Sequence, residues 1–317
     1  MSEFELAAKQ ALGTCLGLQA HETLLVLADT PLAELARAIA AHGRELAKEV
    51  VYLEYSPRQR NGEEPPPPVP AVMQLVDAVL AITSRSITHT KARREATAAG
   101  ARVATMPGIT EEMLVRTMSA DYEAIAAKTR YVAQLLTQAR LARVTTPAGT
   151  DITLPIAGIQ AIASTGLIRE KGQWGNLPSG EAYLMPEEGK AQGVIVVDGA
   201  LAGIGMLDEP VRVVVENGLA TAIEGGAQAR EFARQMAEAG PGARNVAELG
   251  VGTNPAARLT GRILEDEKVL GTVHIAFGNN VSMGGTVDVP FHVDGILLAP
   301  TLFLDGEPLL VDGKPRF

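Results

Sequence analysis

The sequence predicts an α/β N-terminal layer with an open, mainly parallel sheet, followed by a β-rich α+β C-terminal domain. Three observations carry that prediction. Through the first 120 or so residues, short apolar runs alternate with stretches of helical periodicity, the pattern of strands joined by crossover helices. From residue 142 the chain changes to short β-prone runs punctuated by turn residues. Between the two, about Ala120–Leu141 carries apolar positions at helical spacing and reads as one long connecting helix. The expected domains are therefore 1–141, including that helix, and 142–317.

In chain order, residues 3–16 read as an opening helix, and Glu22–Asp29 (ETLLVLAD) as a strand buried on both faces. Asp29-Thr30-Pro31 suits a helix start, and the periodicity then runs on through LAELARAIAAHGRELAKE. Val50–Tyr55 is the next strand. Arg58–Pro70 is too proline-rich for a regular element and reads as an exposed loop. A short helix at Ala71–Val76, a strand at Ala78–Thr83, a helix ended by Gly100 and a strand at Ala101–Met106 follow, and Pro107-Gly108 opens another helix. In the second half, VTTPAGTDITLPI, VIVVDG, VRVVVENGLATAIEGG and LFLDGEPLLVDG read as strands, with Asn217-Gly218 and Asp305-Gly306 as hairpin turns. One helix, about Ala227–Ala239, interrupts them.

The totals narrow the function classes. With 46% hydrophobic residues in 317 the chain can bury a substantial core. A net charge of −9 argues against nucleic acid or an anionic membrane surface as partner, and 4% aromatic residues leave few platforms for stacking bases. The single cysteine, Cys15, excludes an intrachain disulfide and a cysteine-built zinc site. The opening MSEFELAAKQ lacks the basic-then-apolar order of a signal peptide, and no apolar run approaches a membrane span, so a soluble cytoplasmic protein is expected. No strand is followed by a nucleotide-binding glycine fingerprint.

The chemistry concentrates between Gly271 and Asp294, GTVHIAFGNNVSMGGTVDVPFHVD. Two strands are expected there, with Val273, Ile275, Phe277, Phe291 and Val293 on one face and His274, His292 and Asp294 on the other. Two of the chain's five histidines fall in this stretch, beside a carboxylate, and imidazole with carboxylate is the usual donor set for zinc, manganese, cobalt or ferrous iron. Two half-exposed histidines on an open sheet face would look the same. Glu248, inside the apolar and glycine-rich VAELGVGTNP, is the most telling acid, since a buried carboxylate must be paired or coordinated. A salt bridge to Arg244 or Arg262 would also satisfy it. Glu181 follows a rigid Pro-Ser-Gly approach, as a ligand or an exposed turn acid, and the Glu265–Glu267 run is most simply a solvated turn. His89 and Thr90 open a helix after a strand, where anions can bind but a polar cap is the plainer reading, and His21 and His42 read as surface or packing residues. Two glutamates, two histidines and an aspartate suit a pair of divalent ions. A single ion needs only His274, His292 and Asp294, a set with open positions that suits ferrous iron and oxygen chemistry.

The order NLPSGE, AELGVGTNP, EDEKVLGTVHIAFG and FHVDG resembles the M29 family of metal-dependent aminopeptidases, which includes aminopeptidase T. SRSITHTKARREA, GARVATMPGIT and TPAGTDIT are similar to stretches of the same family, so the resemblance runs from about Ala78 to Asp294. It implies an N-terminal α/β domain, a C-terminal metal domain and a homodimer enclosing the active site. It also implies two divalent ions, zinc or cobalt, held by Glu181, Glu248, His274, His292 and Asp294, with Glu267 as general base and a peptide or other small molecule as substrate. Two departures stand out. Family peptidases carry a tyrosine after the first histidine strand, where this chain has NNVSMGG, and His292 follows His274 by only 18 positions. The same fold family is similar to a ring-opening dioxygenase acting on dihydroxypyridine, with a single ferrous ion on a His, His-x-Asp site. Three expectations therefore stand: first a dinuclear metallo-aminopeptidase, next a mononuclear iron oxygenase, and last a non-catalytic metal-binding relative.

Overall fold

The computed structural model describes residues 1–317. They form two compact units, Met1–Ala126 with Thr165–Ser179, and Ala127–Ser164 with Gly180–Phe317. The division differs from the 141/142 boundary that the sequence suggests. It falls inside the helix Tyr122–Gln138, and the segment 165–179 returns to the first unit because Trp174–Asn176 pairs there as a strand.

The first unit is built on a five-stranded parallel sheet in the order Glu49–Tyr55, Thr23–Asp29, Ala78–Ile82, Arg102–Thr105, Trp174–Asn176. Ala78–Ile82 and Arg102–Thr105 are buried throughout, as near-continuous apolar runs in parallel sheets are. The helices start where side chains can satisfy their first amides. Thr90 accepts from the Arg93 N–H ahead of Lys91–Ala98, and Thr110 accepts from the Met113 N–H ahead of Glu111–Thr117. The second of these replaces the expected start at Pro107-Gly108. The helix after the first strand, Ala33–Gly43, stops short of the expected run, and the one placed at Ala71–Val76 begins earlier, at Pro68, with prolines in its first turn where no amide is needed.

The second unit holds two largely antiparallel sheets. One has eight strands, in the order Leu219–Glu224, Val211–Glu216, Gln192–Val197, Asp151–Pro155, Leu141–Thr145, Thr301–Leu304, Glu307–Val311, Lys314–Pro315. The other has seven, in the order Gly205–Met206, Ala200–Leu201, His292–Leu297, Val273–Gly278, Val246–Gly252, Glu181–Leu184, Ile162–Ser164. A single apolar core draws on both, with Val144, Ile195 and Leu302 from the first and Leu249, Ile275 and Leu297 from the second. The helix Ala227–Ala239 adds Ala229, Phe232 and Met236, at the spacing of one helix face. Asn217-Gly218 turns a hairpin with both residues at positive φ (50° and 74°), the conformation that a two-residue turn between twisted strands demands. No helix is long and apolar enough to cross a membrane.

Candidate metal centre

Four neighbouring strands of the seven-stranded sheet carry all five metal ligands expected from the sequence, while Glu267, the expected base, caps the short helix Ile263–Asp266. The register of those strands explains how the donors meet. Glu248 lies opposite Ala276, which lies opposite Asp294; Tyr183 lies opposite Gly250, which lies opposite His274. Glu181 faces Gly252, and His292 faces Gly278. Side chains two apart share a face, so Glu181, Tyr183, Glu248, His274, His292 and Asp294 all stand on one side of the sheet. Leu249, Val251, Ile275, Phe277, Val293 and Leu297 point the other way, into the core.

The small residues between the donors are part of the arrangement. Gly250, Gly252, Ala276 and Gly278 form a floor low enough for long polar side chains to lie across it. A Cβ at Gly250 would collide with the His274 ring. The glycines of AELGVG therefore leave space for the imidazole.

The donors converge. His274 Nε2 is 3.2 Å from Glu248 Oε1 and 3.6 Å from Glu181 Oε2. His292 Nε2 is 3.5 Å from Glu248 Oε2 and 3.6 Å from Asp294 Oδ1. His292 Nδ1 lies 2.8 Å from the Asn279 carbonyl, which can only accept; Nδ1 therefore carries the proton and Nε2 faces the carboxylates with its lone pair when the ring is neutral. Glu248 pairs with neither Arg244 nor any other arginine; its partners are the two imidazoles.

The electrostatics describe a site short of positive charge. Burial pushes the Glu248 carboxyl up, but hydrogen bonds with His274 and His292 outweigh it and hold the group down at about 2. Burial works against charging His274, yet Glu248 and Glu181 raise it to about 9, and Asp294 and Glu248 raise His292 well above its ordinary value. Protons on the rings thus supply the charge that an ion would bring, and an ion held there would displace them. Within the site, two groups of three donors lie close enough to hold an ion: Glu248, His292 and Asp294, and Glu181, Glu267 and His274. One buried oxygen among the donors, Glu181 Oε2, has no hydrogen-bond partner. Donor identity, convergence and this unsatisfied atom fit a divalent metal.

Two residues in the site carried no sequence signal. Lys268 is 1% exposed, with its Nζ 2.7 Å from Glu181 Oε1 and in contact with Glu267. Tyr183 stands among the carboxylates. Burial first, and their charge next, hold its phenol protonated. The Glu265–Glu267 run is not the solvated turn expected of it. Glu265 accepts from the Arg258 N–H at 2.7 Å and Asp266 from the Thr260 N–H at 2.7 Å, so both acids bind the preceding loop and are themselves buried. Glu267 is raised to about 8 by burial and by the neighbouring Glu181 charge.

Outside the site, Thr90 caps its helix, and the His89 ring meets Trp174 edge-on, with centroids 5.7 Å apart. His42 packs against Phe4, with centroids 6.0 Å apart.

Comparison with known proteins assigns the site its context. A family model described as NicX: 2,5-dihydroxypyridine 5,6-dioxygenase matches residues 7–316. The 2,5-dihydroxypyridine 5,6-dioxygenase of Pseudomonas putida KT2440 is 28% identical over 194 residues, which take in 56% of this chain and 55% of that protein, so the matched segment spans about half the length of the relative. A structure of 2,5-dihydroxypyridine dioxygenase from Pseudomonas putida KT2440 superposes with a TM-score of 0.83 at 20% identity, covering 99% of this chain and 98% of that one. Wild-type AmpT from Thermus thermophilus superposes with a TM-score of 0.73 at 18% identity, covering 99% of each chain. At these identities both superpositions show the fold, which is the mixed α/β architecture expected. The expected metallo-aminopeptidase, a peptide-bond hydrolase, is overturned: the family model and the curated relative name a dioxygenase, and only the fold links this chain to AmpT. The chain belongs to the NicX family, described as 2,5-dihydroxypyridine 5,6-dioxygenase.

Proposed function

We propose that this protein is an oxygen-dependent, ring-opening dioxygenase that uses one ferrous ion and acts on a dihydroxylated pyridine or a closely similar nitrogen heteroaromatic. The observation that carries the reading is a 2-His-1-carboxylate donor set, His274, His292 and Asp294, on one sheet face of a chain from this family. Glu248, which touches both imidazoles, is the fourth candidate donor. Held there, ferrous iron supplies the one-electron chemistry that lets molecular oxygen react with an aromatic ring. The chain's own residues do the rest. The Asn279 carbonyl fixes the His292 tautomer, and the Gly250 floor fixes where the His274 ring lies. Tyr183, kept protonated, can donate a hydrogen bond to an ionised ring oxygen. Glu267, expected as the base of a hydrolytic reaction, has no such water to activate in this reading; it is a partner of Lys268. A reducing interior that preserves ferrous iron also suits the unpaired, buried Cys15, so we place the protein in the cytoplasm.

The test is oxygen consumption. Protein stripped of metal and reloaded anaerobically with ferrous iron should consume one oxygen molecule per 2,5-dihydroxypyridine, with loss of the ring's absorbance, and do neither when loaded with zinc. His292→Ala and Asp294→Ala should each cost more than the ~10–100-fold loss typical of residues that only orient a ligand. Turnover without oxygen, or no oxygen uptake with any dihydroxypyridine after iron loading, would overturn the reading.

A further inference from the structure

We propose that the Lys268 ammonium is a built-in cation standing where a second metal ion would otherwise sit, and that it restricts the centre to a single divalent ion. The donors fall into two groups of three, as a two-ion site requires. In one of them, Glu181 with Glu267 and His274, both carboxylates already hold the same ammonium, with Nζ 2.7 Å from Glu181 Oε1. That ammonium is 1% exposed and fixed by its backbone, since the Lys268 N–H donates to the Glu265 carbonyl at 2.9 Å and the Lys268 carbonyl accepts from the Asn254 N–H at 2.8 Å. A divalent ion brought beside it would meet like charge in a poorly screened setting. The carboxylates left over, Glu248 and Asp294, balance the charge of one divalent ion, and both contact His292. Glu181 thus stands between the ammonium and His274, its Oε1 held by Lys268 and its Oε2 3.6 Å from His274 Nε2. Lys268 and Glu181 are thus positioning residues. The inference deepens the single-ion part of the proposed function and rests on the same donor set.

The test is zinc stoichiometry, which needs no turnover. Metal-free wild-type protein is saturated with zinc, freed of excess and assayed for metal per chain. One ion is expected; two would overturn the proposal. Lys268→Met keeps the length of the side chain and removes its charge, and folded protein of this variant should bind two zinc ions, whereas Lys268→Arg should bind one. A folded Lys268→Met protein that still binds one would overturn the proposal. Because Lys268 is buried, its loss can cost folding, so Glu181→Gln supplies an independent reading. It should retain one zinc ion, and loss of that ion would make Glu181 a ligand and overturn the assignment. One zinc ion in wild-type protein that consumes no oxygen when iron-loaded would leave this inference standing and remove the dioxygenase reading; two zinc ions in protein that does consume oxygen when iron-loaded would remove this inference and leave the oxygen chemistry.

Discussion

Gly250 decides where His274 can lie. The imidazole is fully buried over a glycine that directly opposes it in the sheet, and any side chain at 250 would occupy the space of its Nε2 edge. Gly250→Ala must therefore push the ring aside in a region with no slack, at a cost of about 1–3 kcal/mol. Because the displaced atom is a candidate ligand, zinc affinity in competition with a coloured chelator should fall ~10–100-fold, as it does when ligands lose their orientation. Unchanged affinity would mean that the ring does not depend on that floor. The same scale explains what a linear reading can recover. Glu248 is legible because an acid inside an apolar, glycine-rich run has no use except a paired one. Lys268 is not, because EDEK reads locally as a solvated cluster; what buries it is Glu181, 87 positions earlier in the chain. Tyr183 is not legible for a similar reason: a tyrosine is expected after the first histidine strand, and this one comes from a strand two places across the sheet.

One helix holds the ligand strands from behind. Phe232, on Ala227–Ala239, meets Phe277 with ring centroids 5.7 Å apart and Phe291 at 6.3 Å. Phe277 shares a strand with His274, and Phe291 immediately precedes His292. Phe232→Ala removes a fully buried ring and should cost ~3–5 kcal/mol in denaturant unfolding. Metal affinity should fall as well, since both histidine strands lose the same support; a stability loss with affinity intact would show the strands to be fixed by their ladder alone. This helix has the bounds its periodicity predicts, and the hairpins at Asn217-Gly218 and Asp305-Gly306 form where their turn chemistry places them. Elements of that kind are legible because pattern and turn residues agree. Trp174–Asn176 is not legible: three residues cannot establish a period, and the strand exists through its pairing with Arg102–Thr105.

At the scale of the whole chain, the order of motifs reports fold more faithfully than chemistry. Similarity to a dioxygenase structure and to AmpT at comparable coverage means that one architecture is common to both. The two departures, the absent tyrosine and the short span between histidines, were the parts of the sequence that spoke to the reaction. The scaffold also carries stability of its own in the first unit. Arg102 donates to both oxygens of Glu22, at 2.9 and 2.6 Å, and both side chains are buried. Burial alone would raise the Glu22 carboxyl, but the Arg102 hydrogen bonds overcome it and hold the group below its ordinary value. Because the folded value is depressed, this stabilisation is fully present above the usual glutamate value of about 4.3 and drains away as the pH falls through the lower, folded one. The chain's single tryptophan, Trp174, lies in the same unit, so its fluorescence reports that loss. Glu22→Gln strands a buried guanidinium and should cost ~3–5 kcal/mol near pH 7. It should also flatten the acid limb of the Trp174 unfolding curve, because the variant has no carboxylate there to protonate. An acid limb as steep in Glu22→Gln as in the wild type would assign the acid sensitivity of this unit to other carboxylates.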